Sequence, residues 1–475
     1  MSSYASASQL VERPGGHLLD LATALGRTPT GLVDHPDFFD GLLAYPDVAA
    51  AGLLTIADVA VSRYADLGQA ARLASVDPVV TSGCDRLRFE SFSACNGVYA
   101  RFDLLPGGID AGRVGVGTTN VDINQPLRVA LASVGRSQLL HLGVGAAGLR
   151  VSTSDQDHVE RQVDLPDRWI RGLAETPLLL RQVTPVATVH GPSIGQLLAG
   201  LPPGPGPGPT LFLRPTPRGL RPSPTEGPGT VRVAGTTRLS AAKRIVRFTN
   251  RLDIHAGPHG TSAWTFDLPG ARLLLFLTPS PWRGFSGEGS LLRLLTAGCS
   301  EEHGYTILER LAWEQLIDPD ALACATGLEA SAVDSGLAWL AASGRIGFDL
   351  AEQSWFHREL PLDTEEALLR RNPRLSGGRR LAESGAVSGG PTNWQVGSGA
   401  TTYDIVLGDQ HRCTCAWERE HQGSRGPCKH ILAVLLITTA SPPLPTEIQR
   451  LPEHLAAVES DLSEIEGRIR RLEPT

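Results

Sequence analysis

The chain has 475 residues, 41% of them hydrophobic, with a formal net charge of −7 and a pI near 6.0. A chain of this length is expected to hold roughly two to four domains, and its mild acidity excludes a chain-wide attraction to nucleic acid. The longest apolar runs, 273–277 and 431–437, fall far short of the roughly 20 residues that a membrane helix needs. Seven cysteines, an odd number, do not suit a secreted disulfide framework. The start, Met1-Ser2-Ser3-Tyr4, lacks a charged stretch followed by an apolar one, so the expectation is a cytoplasmic protein without a membrane segment.

In chain order, residues 1–200 are expected to form an α+β region. Val48 to Arg63 is rich in Ala and Leu at helical spacing, and the residues from Arg86 to Leu105 and Leu139 to Thr153 alternate as strands do. The run Pro202-Pro203-Gly204-Pro205-Gly206-Pro207-Gly208-Pro209 can form neither helix nor ladder and is expected to be a loop or linker. A second region, 210–298, follows it. Between Arg214 and Arg251 it carries nine basic residues, Arg214, Arg218, Arg221, Arg232, Arg238, Lys243, Arg244, Arg247 and Arg251, against Glu226 alone. Trp264 to Leu277 reads as two strands.

Residues 299–361 form the next unit. Tyr305, Leu308, Leu311, Ala312 and Leu316 recur at helical spacing; Pro319 suits the start of a second helix ending near Gly327; Val333, Leu337 and Leu340 mark a third. Residues 344–350 and 354–358 then form a β-hairpin. Three helices and a hairpin in this order resemble a winged helix-turn-helix domain, which would imply DNA binding. The residues oppose that implication. From Glu329 to Ser343 no Arg, Lys, Asn or Gln is present to reach a base, and the unit has eleven acids against Arg310, Arg345 and Arg358. It is therefore expected to be a protein-binding or scaffold module. The arginines Arg370, Arg371, Arg374, Arg379 and Arg380 lie in the segment that follows and form a local basic patch.

The chemistry concentrates at 388–440. Cys413-x-Cys415 is separated by twelve intervening residues from Cys428-x-His430, and together they supply the four ligands of a tetrahedral zinc site. On an extended strand, positions i and i+2 share a face, so a turn after such a strand brings the first two sulfurs together. Pro427 precedes Cys428 and an apolar run follows it, so a helix is expected to begin there with Cys428 at its cap and His430 in its first turn. The helix N-terminus favours thiolate. Upstream, 393–396 and 403–407 read as two strands joined by a turn at 397–399. His411 and His421 flank the motif without spacing partners and are expected at the surface. Cys84, Cys95, Cys299 and Cys324 are expected to be buried small hydrophobes.

This pattern, from about Trp394 to Ile437, resembles the SWIM zinc finger, whose signature is C-x-C, a variable gap, then C-x-H. The resemblance implies a ββα zinc-bound module used to bind DNA or other proteins, with one Zn²⁺. The whole chain is also similar to long SWIM-containing proteins of actinobacteria, through Ser93-Ala94-Cys95-Asn96-Gly97-Val98-Tyr99-Ala100-Arg101, Thr118-Thr119-Asn120-Val121-Asp122 and Leu295-Thr296-Ala297-Gly298-Cys299. That likeness implies AAA-type ATPases or von Willebrand-type proteins as partners. Four protein ligands leave no position for an activated water, so the zinc is expected to be structural.

Beyond Pro445, Ile448, Leu451, Leu455, Val458, Leu462, Ile465, Ile469 and Leu472 recur at gaps of three and four. Over 446–475 this reads either as a coiled coil that forms a homodimer or as a terminal helix packed on its own chain. No phosphate-binding loop, dinucleotide fingerprint, His-Glu-x-x-His or Gly-x-Ser-x-Gly occurs. Asp122 and Asn124 read as ligand-binding or strand-terminating. The expectation is thus an α+β multidomain, non-catalytic adaptor that binds proteins. One alternative is a nucleic-acid-binding protein using the finger and the Arg-rich segments; another is an enzyme with an unrecognised site in the first two hundred residues.

Overall fold

The structure is a computed structural model, describing residues 8–439 except 63–77, 145–166, 203–208, 280–284, 286–299, 361–372 and the short breaks 14–15, 24–25, 30, 34–35, 84, 217–218, 409 and 424–425. Leu295–Cys299, Cys84, Arg370, Arg371, the proline–glycine run at 203–208 and the heptad segment 446–475 therefore lie outside the described residues. The described chain contains both helices and sheets.

A ten-stranded sheet organises the molecule. From one edge it runs Thr184–His190, Arg251–Ala256, Ser262–Leu268, Ala271–Leu277 and Val98–Leu104. It continues through Arg86–Phe92, Val79–Gly83, Gly117–Asn120, Gly26–Thr28 and Gly31–Val33. The pairings are antiparallel, and one near the middle joins Val98–Leu104 to Ala271–Leu277 from Leu277↔Val98 to Ala271↔Leu104. Strands expected on either side of the 202–209 run thus share one sheet, so that run does not separate two sheets. Trp264 to Leu277 does form two strands, turning at Pro269-Gly270, where Gly270 takes φ 64.

Each face of the sheet carries its own core. The helix Pro46–Val61 packs on one face, burying Leu53, Ile56 and Val59 against Phe89, Phe102 and Leu273. Gly52 permits this approach, because a Cβ there would lie 2.2 Å from the Phe102 ring. On the other face, the helix Asp167–Leu180 and the helices and hairpin of the 300–357 unit cover Phe92, Tyr99, Leu274 and Phe276. A five-stranded sheet built from Gln9–Arg13, Gly16–Leu21, Leu140–Val144, Phe39–Leu43 and Ile109–Val114 adjoins the first core.

The 300–357 unit has the expected helices Ser300–Leu308, Pro319–Thr326 and Ala330–Ala342 and the hairpin Ile346–Asp349 with Ser354–His357. Asp318 caps the second helix and Gly327 ends it in the left-handed conformation at φ 71. The first helix is shorter than its apolar spacing suggests. Trp313 adopts φ 63 and stacks on His357 at 4.5 Å, while Ile317 bridges to Trp355. Burying Trp313 and Ile317 against the hairpin outweighs continuing the helix through Leu316, which is left exposed.

Charge, unexpectedly, holds this unit to the sheet. Asp349, on the hairpin, is fully buried and meets Arg88 at 2.8 Å, Arg101 at 2.9 Å and Arg272 at 3.3 Å, all from sheet strands. Asp103 lies 3.3 Å from Arg88 and 3.0 Å from Arg101. Nearby, Arg358 meets Glu90 at 2.8 Å, and Glu90 also accepts from the Tyr99 hydroxyl. Burial opposes ionisation of Asp349, but Arg101, Arg88 and Arg272 together hold its carboxyl well below the usual carboxylate range.

Candidate metal centre

The C-terminal unit begins with the helix Pro373–Glu383 and a four-stranded sheet, Val387–Gly389, Asn393–Ser398, Thr401–Val406 and Arg412–Cys413. The expected hairpin is present: Ser398 pairs with Thr401 across Gly399-Ala400, with Gly399 at φ 65. Cys413 ends the last, two-residue strand, and Cys415 sits two residues on, at the N-cap of a short helix, Ala416–His421. The connection between the ligand pairs thus contains a helical turn. Cys428 immediately precedes the helix Lys429–Thr439, and the Ile431 N–H donates to its Sγ at 3.4 Å. His430 lies in the first turn, as its spacing requires.

Cys413, Cys415, Cys428 and His430 are all buried, and one ligand atom from each lies within 4.8 Å of the others. His430 turns Nδ1 toward the sulfurs, 3.7 Å from Cys413 Sγ and 3.9 Å from Cys428 Sγ. Tetrahedral Zn–S and Zn–N bonds of about 2.3 and 2.0 Å place such atoms about 3.5–3.8 Å apart. The donor set and its spacing fit Zn²⁺. The ring of Tyr403 stacks on His430 at 4.2 Å and fixes the plane of the imidazole.

Three crowded sulfurs are a poor arrangement for ionising thiols and a good one for a cation. Without a metal, the neighbouring Cys413 thiol and burial push the Cys428 thiol up to about 12. Burial likewise raises Cys415, against the opposing backbone N–H of Glu418. A divalent ion reverses this balance by neutralising the thiolates.

Residues 403–438 match the SWIM zinc finger family. Within this SWIM finger, Cys413, Cys415, Cys428 and His430 are arranged to bind a single zinc ion. No curated protein matches the chain. The crystal structure of proliferating cellular nuclear antigen from Entamoeba histolytica aligns with 6% identity and a TM-score of 0.31, covering 52% of this chain and 100% of that one. A superposition that loose informs neither fold nor function.

Other residues of the SWIM finger depart from their sequence readings. His411 and His421 are half-buried rather than at the surface; neither belongs to the ligand cluster, and His421 packs against Trp417. Arg374 lies on the helix Pro373–Glu383. Its guanidinium covers the Trp417 ring at 4.4 Å and donates to the Pro427 carbonyl at 3.3 Å, bracing the loop before Cys428. Sequence reasoning missed this role because 43 residues separate Arg374 from Trp417. Gly377 and Gly378 let the helix Pro373–Glu383 approach Lys429–Thr439 closely: a Cβ on Gly378 would lie 2.9 Å from Leu432 Cβ.

Elsewhere, Cys95 is fully buried, with Sγ 3.3 Å from Ser93 Oγ, while Cys324 is exposed, contrary to expectation. Asn124 caps the helix Gln125–Leu131 by accepting from Leu127 N–H, and it donates to Asp122 at 2.8 Å. Asp122 and Asn124 therefore build a strand-to-helix junction. No helix among the described residues is long and apolar enough to cross a membrane.

Proposed function

We propose that this chain is a zinc-stabilised, non-catalytic adaptor that binds partner proteins in an intracellular assembly, with the SWIM finger as a structural element. Four protein ligands complete the zinc tetrahedron, so the ion supplies cross-linking of strand to helix and no open coordination position. Leu375 and Leu432 join the finger to the second core, which couples its folding to the rest of the chain.

The observation that carries this reading is the fate of the 300–357 unit. Its order of helices, bridge and hairpin resembles that of a winged helix. In that fold the third helix and the wing are the parts that enter DNA. Here the third helix buries Val333, Leu337, Trp339 and Leu340, and packs beside Asp167–Leu180; the wing buries Phe348, Asp349, Trp355 and Phe356. Both are occupied by contacts within the chain. Its exposed charges are mostly acidic, Glu301, Glu302, Glu309, Asp318, Asp320 and Glu329 against Arg310, and Tyr305 and Leu316 are exposed as well. That surface suits a basic protein partner and repels a duplex.

The test is affinity capture from the native cytosol after nuclease digestion, in parallel with a Glu301→Lys/Glu302→Lys/Asp320→Lys variant. Partners that survive nuclease and are lost from the variant support the adaptor. Captured material that disappears with nuclease, or that the variant retains unchanged, overturns it.

A further inference from the structure

The nine basic residues between Arg214 and Arg251 do not act as one patch. Arg238 is fully buried and donates to the carbonyls of Gly97 and Thr278. Arg244 is paired with Asp58 at 2.7 Å and Arg251 with Asp253 at 3.1 Å. Three others, Arg214, Arg221 and Arg232, lie on a separate three-stranded sheet in the order Gly219–Ser223, Leu211–Thr216, Val231–Val233.

The register of this sheet sorts its faces. Leu211, Leu213 and Val233 are buried in the first core. Alternation then puts Phe212 and Arg214 on the opposite face. Arg221 lies directly across from Arg214, and Arg232 directly across from Phe212, so all four share that face. The three arginines are exposed and Phe212 is half-exposed. Among the described residues none of the three arginines forms an ion pair. The patch is about 10 Å across, from strands about 4.8 Å apart and i, i+2 positions about 7 Å apart.

Two features of this face oppose stability and favour a ligand. Like charges directly opposite each other, as Arg214 and Arg221 are, destabilise a strand pair. A half-exposed phenyl ring among guanidinium groups contributes little to the fold, yet it is the arrangement on which bases stack while cations meet the backbone. From Leu211 to Val233 the sequence holds four arginines and one acid, Glu226.

We infer that the outer face of this sheet, Phe212 with Arg214, Arg221 and Arg232, binds single-stranded nucleic acid, one base stacking on Phe212 and the arginines meeting consecutive phosphates. Charge complementarity selects a polyanion, and the lone aromatic platform selects exposed bases over a closed duplex. This site lies outside the finger and does not depend on the adaptor reading.

The test is fluorescence anisotropy of the full chain with a labelled mixed-sequence oligonucleotide of about twelve nucleotides, as DNA and as RNA. Neutralising three phosphates gives a salt slope of about −2, so affinity is expected to fall about twenty-fold between 50 and 200 mM salt. Arg214→Gln/Arg221→Gln/Arg232→Gln is expected to abolish that salt dependence, and Phe212→Ala to weaken binding about tenfold. Arg214→Lys/Arg221→Lys/Arg232→Lys should retain the slope, which separates lost charge from lost folding. Binding by either sugar type with this pattern supports the site. It is overturned if the wild type does not bind, if the Gln variant binds as the wild type does, if duplex binds as tightly, if only phosphatidylserine vesicles bind, or if Arg379→Gln/Arg380→Gln on the finger removes binding instead.

Discussion

Replacing Asp349 by Asn tests whether buried charge clamps the hairpin to the sheet. Asp349 has contacts of 2.8, 2.9 and 3.3 Å to Arg88, Arg101 and Arg272. At an effective dielectric of about 20, each contact is worth about 5–6 kcal/mol of gross attraction, most of it offset by desolvation. Asparagine leaves Arg88 and Arg101 buried with the Asp103 carboxylate as their shared counter-charge, and deleting one member of a buried pair costs about 3–5 kcal/mol. The assay is amide hydrogen exchange of hairpin peptides spanning Ile346–His357, read by mass spectrometry. That cost, if it falls on local opening, speeds exchange there at least about 100-fold. Arg272→Gln is expected to have a smaller effect, since Arg272 is partly exposed and Glu352 is a second partner at 3.1 Å. Because the native carboxyl is depressed, its contribution is complete above the unfolded value near 4 and is lost as pH falls below it. The difference between wild type and Asp349→Asn should therefore shrink in acid. Exchange in the variant within about fivefold of wild type at neutral pH would refute the reasoning.

The remaining expectations concern the finger. Cys428→Ser is expected to remove the single bound zinc, measured by elemental analysis, and to make residues beyond about 385 protease-sensitive while the ten-stranded sheet stays protected. Zinc retention against a chelator should fall as pH drops from 8 to 6, because thiols that resist ionisation in the metal-free pocket must lose their protons to bind; pH-independent retention would contradict the three-thiolate site. Gly378→Val forces apart the helices Pro373–Glu383 and Lys429–Thr439 and is expected to cost about 1–3 kcal/mol in chemical denaturation of the finger. Arg374→Ala should cost about 1–3 kcal/mol and quicken cleavage near 421–427, since it uncovers Trp417 and frees the Pro427 carbonyl.

Local chemistry made the zinc centre legible in the sequence. Cys413 and Cys415, and Cys428 and His430, are each two residues apart, and the Pro427 step and the apolar run after Cys428 mark where the helix must start. The Gly399 turn, the helix start at Pro319 and the Gly327 stop were readable for the same reason: each is set by neighbours within a few residues. Only the tertiary structure decided the ten-stranded sheet, because the pairing of Val98–Leu104 with Ala271–Leu277 joins segments far apart in the chain and leaves no periodic trace in either one. It also decided which charges face water. Arg88, Arg101, Arg238 and Arg358 sit in a sequence as surface arginines would, and they are buried because the acids and carbonyls that neutralise them come from distant elements. Spacing fixes short-range ligation, whereas burial of charge depends on partners that only the folded chain assembles.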